Sequence, residues 1–137
     1  MSNVKTISQY IKELSFDLTS APQVFLTPQD KPNINLSIDI DAKKITKEIF
    51  EVSLKISANA QIENEQFFTC KATYNGLFSI EGIEGEILDQ ILLIYCPNLL
   101  FPFLRRIFAN ITTDAGLSPL LIDPIDFMQL YNKKKQD

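Results

Sequence analysis

Histidine is absent from this chain of 137 residues. Its absence removes the commonest general base, the imidazole partner of serine and cysteine nucleophiles, and the commonest zinc ligand. Glycine is scarce, and the four at positions 76, 82, 85 and 116 form neither a dinucleotide fingerprint nor a phosphate-binding loop. The two cysteines, Cys70 and Cys96, show no CxxC spacing and are too few for a disulfide framework. Both read as reduced, cytosolic and buried, each acting as a small hydrophobe. Positive charge is short as well: 13 Lys and Arg stand against 17 Asp and Glu, for a net charge of -4. That balance argues against a nucleic-acid partner, whose phosphates demand a basic face. Long apolar runs are missing; Ile91 to Tyr95 falls far below the roughly 18 residues of a membrane span. Residues 1–9 have no apolar core and do not read as a signal peptide.

What is present suits one domain over residues 1–137, with 45% hydrophobic residues, ten Phe and no Trp. The first half alternates as strands do. Ile34, Leu36, Ile38 and Ile40 oppose Asn33, Asn35, Ser37 and Asp39. Phe50, Val52, Leu54, Ile56, Ala58 and Ala60 repeat the pattern over Ile49 to Ile62, and Phe68, Cys70 and Ala72 continue it. Polar Glu63 to Gln66 predicts a hairpin loop, Lys43 to Lys47 a second connection, and Asn75-Gly76 a bend or bulge. Tyr10 to Phe16 reads as an edge strand, while residues 1–9 and 132–137 read as flexible termini. Pro28 and Pro32 make the stretch after Phe25 a loop that crosses the sheet.

The second half is helical. Glu86 to Ile94 opens a helix, Pro97 and Pro102 punctuate the chain, and Leu104, Ile107, Phe108 and Ile111 form one apolar stripe. Gly116 predicts a helix stop, and Asp123 followed by Pro124 predicts the cap of a last short helix. The expected fold is α+β, a four-stranded antiparallel sheet with helices packed on one face. Short helices cannot cover such a sheet and its Ile- and Phe-rich edges, so the chain is expected to associate, or to use its apolar surface for binding.

Candidate reactive constellations are weak. Glu81, Glu84, Glu86 and Asp89 crowd a glycine-containing loop, where a metal site or a carboxylate pair is conceivable, but a solvated turn at a helix start explains them better. No catalytic residue, metal or cofactor is expected. A small enzyme using Glu81, Glu84 or Asp89 remains only a remote alternative.

Four ordered blocks nevertheless resemble the SecB protein-export chaperones: Tyr10 to Phe16 with Ala21-Pro22, Gly76 to Ile83, Tyr95 to Pro102, and Pro119 to Phe127. The resemblance implies a bacterial, cytoplasmic homotetramer, a dimer of dimers. It implies an ATP-independent holdase that keeps precursor proteins unfolded and delivers them to SecA, the ATPase of the Sec translocase. By position, the client groove would be walled by Val24, Phe25, Ile34, Leu36, Ile38, Phe68, Cys70 and Ala72. The stripe Leu104, Ile107, Phe108 and Ile111 would build the oligomer. The docking surface for SecA would include Glu13, Asp17, Thr69 and Lys71. There Lys71 stands at an acidic position of the family and Thr69 at an apolar one, so a like-charge contact replaces an attractive one. The crossing loop also lacks tryptophan, and Lys133-Lys134-Lys135 replaces the usual acidic tail. The Lys71 departure keeps open a second reading, a SecB-like chaperone dedicated to one toxin–antitoxin pair.

Overall fold

The computed structural model describes residues 3–26 and 31–136. β1 (Val4–Asp17), β2 (Asn33–Lys44), β3 (Ile49–Ile62) and β4 (Glu65–Ile80) form one antiparallel sheet in the order β1-β4-β3-β2. A helical run Gly85–Asp114 follows, made of α1 (Gly85–Gln90), a π-helical turn (Ile91–Tyr95) and α2 (Cys96–Asp114). α3 (Phe127–Gln136) completes the described chain. The α+β expectation holds.

Strand periodicity sets the two faces. Register pairs Ala60 with Phe68, Ala58 with Cys70, Ile56 with Ala72 and Leu54 with Tyr74, so the even-numbered side chains of β3 and β4 share one face. That face is buried beneath the helices, while the odd-numbered face is polar. Glu63 (φ 52°) and Asn64 (φ 67°) make a two-residue turn of the kind that matches strand twist. The hairpin is therefore tighter than the sequence pattern predicts, with Glu65 and Gln66 already paired to Ile62 and Gln61.

Asn75-Gly76 is no bend. β4 runs straight through it, and the irregularities lie opposite, where β1 skips Ile7 and Lys12 in its register. Gly76 serves packing instead: a Cβ there would fall 2.5 Å from Phe78 Cε2 and 2.9 Å from Leu100 Cδ2. The first nine residues are likewise ordered in part, since Val4 to Gln9 form the first half of β1.

Pro97 and Pro102 do not break the helix. The Cys96 N–H bonds to the Ile91 carbonyl, one residue further back than in an α-helix, and this wider turn precedes Pro97. Pro102 removes a donor to the Asn98 carbonyl, but both residues are exposed, so water satisfies that oxygen. One buried stripe therefore runs unbroken through Leu92, Cys96, Leu100, Leu104, Phe108 and Thr112, every fourth residue. An 18-residue window of this run has a mean hydropathy of 1.6, yet its apolar stripe lies on the sheet as a core helix does.

Gly116 (φ 85°) ends α2 as predicted. Its N–H bonds to the Thr113 carbonyl and that of Leu117 to Thr112, the paired bonds of a Schellman cap. The last helix starts later than expected. Asp126, not Asp123, caps it by accepting from the Gln129 N–H at 3.0 Å, and Pro124 stays outside. Lys133 to Lys135 lie in its final turn, where cations suit the helix dipole, and Lys135 pairs with Glu86. The expected loose tail at 132–136 is thus helical.

Candidate functional site

On the helix-facing side of the sheet, the edge strand β2 presents Ile34, Leu36, Ile38 and Ile40, while α2 packs chiefly on β3 and β4. Two depressions flank Leu36. One, of about 600 Å³, is lined by Val24, Phe25, Ile34, Phe67, Phe68 and the Leu117–Leu120 stretch. The other, of about 230 Å³, is lined by Ile38, Ile40, Leu93, Leu130 and Tyr131. Leu36, 41% exposed, bridges them on the same strand face. The track from Ile34 to Ile40 is about 20 Å long at strand rise.

Of the eight residues assigned to a groove from sequence, Val24, Phe25, Ile34 and Phe68 thus line one depression and Ile38 the other. Cys70 and Ala72 do not. β4 is a central strand roofed by α2, so these two are 0% and 1% exposed and belong to the core. Pro28 and its neighbours at 27–30, the heart of the expected crossing loop, lie outside the described residues. Sequence reasoning missed the opposite wall, Leu117 to Leu120. Its signal is an apolar run that follows a helix-stop glycine without helical spacing.

That wall is pinned to α2. The buried Thr112 hydroxyl donates to the Phe108 carbonyl at 2.8 Å and accepts the Leu120 N–H at 2.9 Å. Arg105 Nε donates to the Ile122 carbonyl at 2.9 Å. Gly116 adds a close approach, since a Cβ there would sit 3.2 Å from the Phe25 ring. Two tethers therefore hold an otherwise irregular segment beside the groove.

The opposite, odd-numbered face holds the proposed docking residues together. Asp17 pairs with Thr69, Ser15 with Lys71 and Glu13 with Thr73. Lys71 accordingly lies diagonally between Glu13 and Asp17, all three exposed, and Lys55 follows opposite Thr73. Further along this face, Tyr10 donates a hydrogen bond to the Glu51 carboxylate across β4, and Lys12 approaches it at 3.8 Å. The Tyr10 bond, aided by Lys12, holds Glu51 below the usual carboxylate range, and the same bond raises Tyr10.

Two residues of the stripe assigned to oligomer contacts belong to the chain's own core. Leu104 and Phe108 are fully buried against the chain's own sheet, and Ile107 and Ile111 partly so. The helical spacing marks the core-facing side, which a sequence cannot tell from an interface. Glu81, Glu84 and Asp89 are exposed, and Glu86 takes Lys135 as its partner. Both cysteines are buried, which pushes the Cys70 thiol up to about 11 and Cys96 to about 12.

A sheet edge bordered by shallow apolar depressions is the geometry of strand-addition binding. The comparisons agree with that class. The family model for preprotein translocase subunit SecB matches residues 1–137. The protein-export protein SecB of Parvibaculum lavamentivorans is 41% identical over 133 residues, covering 97% of this chain and 79% of that protein. That of Rickettsia felis is 41% identical over 138 residues, covering 100% and 91%. Among solved structures, the SecB-like chaperone Rv1957 of Mycobacterium tuberculosis, in complex with a ChAD peptide from the Rv1956 HigA1 antitoxin, has a similar fold. Its TM-score is 0.75 at 15% identity, over 90% of this chain and 92% of that one. The chain belongs to the SecB family of protein-export chaperones. Members of that family are chaperones rather than enzymes.

Proposed function

We propose that this chain is an ATP-independent holdase that binds unfolded precursor proteins along the β2 edge and passes them to SecA in the bacterial cytoplasm. The observation that carries the reading is the apolar track Ile34–Leu36–Ile38–Ile40 between two depressions on an edge strand that, among the described residues, pairs on one side only. Backbone groups of an open edge accept any sequence, and a row of apolar side chains prefers segments that are unfolded. Promiscuity without a sequence code follows.

Assembly as a tetramer, a dimer of dimers, accounts for the remaining apolar surface. Ile87, Phe103, Leu121 and Met128 are 38–60% exposed, as are Ile7, Ile11 and Leu14 on β1 at 43–51%. Burial of such groups on association is worth roughly 25 cal/mol per Å². SecA docks on the odd-numbered face around Glu13, Asp17 and Thr69, with Lys71 weakening attraction for a basic partner. The 41% identity to protein-export proteins, against 15% to the M. tuberculosis chaperone, favours export over a toxin–antitoxin role.

The test is refolding of a secretory precursor with and without the protein, in the absence of ATP. Refolding is expected to slow at one tetramer per client and to resume on addition of SecA. Unchanged refolding at severalfold excess would refute the holdase reading. Restoration of an acidic side chain by Lys71→Glu should tighten SecA binding severalfold.

A further inference from the structure

One asparagine is sealed into the face of the sheet that is otherwise polar and open. From Thr69 to Ser79, Asn75 alone among the odd-numbered residues of β4 is fully buried. It lies cross-strand from Tyr10 on one side and Ser53 on the other, and the Tyr10–Glu51 hydrogen bond spans β4. Neither the nitrogen nor the oxygen of its amide has a hydrogen-bond partner among the described residues. Gly76, next in the chain, is buried as well. These two form the one Asn-Gly pair in the sequence.

An Asn-Gly pair is chemically labile when its backbone is free, since glycine neither hinders attack nor restricts the backbone angles. The Gly76 amide nitrogen, losing its proton, attacks Asn75 Cγ; a cyclic imide closes and the side-chain nitrogen leaves as ammonia. Water then opens the imide. Attack at Cγ leaves aspartate, while attack at the Asn75 main-chain carbonyl routes the backbone through Cγ as isoaspartate. One water enters, one ammonia leaves, and nothing is oxidised or reduced. The fold blocks the first step. Gly76 pairs with Gln9 of β1 and with Val52 of β3, which holds the backbone extended and keeps the nitrogen from swinging onto Cγ.

We propose that Asn75-Gly76 is a deamidation site kept closed by the folded sheet, so that chains left unfolded are modified there and do not regain this fold. Isoaspartate adds a carbon to the backbone of β4, which puts the stretches on either side of it out of register with β1 and β3. The aspartate product places a carboxylate in a fully buried position without a partner. Glu51, cross-strand from Leu77 and so diagonal to residue 75, adds a second carboxylate of like charge. The inference concerns the sheet itself and stands apart from the client-binding reading.

The test incubates the full chain in heavy-oxygen water at mildly alkaline pH, either native or in urea, and maps the digested chain by mass spectrometry. Labelled residue 75 is expected to form at least about a hundredfold faster in urea, because a central strand opens only with the whole fold. The urea sample is then diluted to refold and fractionated by size. Modified residue 75 should gather in the fraction that fails to refold. Asn75→Ala, which removes both the site and the unpartnered amide, should refold in full after incubations that cost the wild type most of its yield. The fractionation needs only the wild-type chain, so it decides whether or not the variant folds. Conversion as fast in the native chain as in urea, no conversion in urea, or equal modification of refolded and unrefolded chains overturns the inference.

Discussion

Gly76→Ala is the sharpest probe of how the long helix seats on the sheet. The added methyl would sit 2.5 Å from Phe78 Cε2, 2.7 Å from Phe78 Cζ and 2.9 Å from Leu100 Cδ2, all below the distances that carbon atoms tolerate. Phe78 and Leu100 are both fully buried, so neither can swing into solvent to make room. Overpacking of this kind costs about 1–3 kcal/mol. Against it stands the gain from replacing glycine in a strand, about 0.5–1 kcal/mol. A net loss of about 1–2 kcal/mol follows, or roughly 4–8 °C in midpoint for a chain of this size. The assay is urea unfolding followed by far-UV circular dichroism at fixed protein concentration, because association shifts apparent stability. The decisive measurement is a double-mutant cycle. Leu100→Ala alone leaves a cavity worth about 2–5 kcal/mol, but with Gly76→Ala the new methyl occupies part of it. The pair should therefore cost at least about 1 kcal/mol less than the sum of the singles. A neutral Gly76→Ala, or additive singles, would show that the helix does not press on this glycine.

Three further outcomes test other links. Thr112→Val removes the acceptor for the Leu120 N–H, so it should cost about 1–3 kcal/mol and speed hydrogen exchange across 117–122, while Thr112→Ser restores both. Glu51 is held below its ordinary 4.5, so its contribution is present above that pH and lost as pH falls through the lowered value. Glu51→Gln should flatten that acid limb of the stability curve, and an unchanged limb would refute the Tyr10 clamp. Cys70 and Cys96, with thiols raised to about 11 and 12, should resist iodoacetamide at pH 8 in the native chain and react fully in denaturant.

The sheet was legible because burial on one face leaves a period of two in the residues, and β2, β3 and most of β4 carry it cleanly. The prolines misled, since their effect depends on what surrounds them. Pro97 follows a widened turn and Pro102 orphans a carbonyl that faces water, neither of which local sequence records. Gly76 misled for a similar reason, because the space it leaves is filled by Leu100 from another element. Exposure was legible on the edge strand β2, where it follows from position, as at Leu36, but not at Cys70 and Ala72, which carry the same alternation on a central, buried strand.

The every-fourth-residue stripe from Leu92 to Thr112 has a consequence for the shape of the groove. A helix turns once in 3.6 residues, so a row repeating every four winds slowly around the cylinder, inclined about 26° to its axis. A helix that buries such a row must cross its sheet on a diagonal. Its start lies over β2, beside Ile38 and Ile40, and its body lies over β3 and β4. The diagonal leaves a wedge of β2 unroofed at the Ile34 end, where Leu36 stays exposed and the larger depression opens. The mismatch between 4 and 3.6 is, in this chain, what keeps the apolar edge of β2 from being sealed into the core.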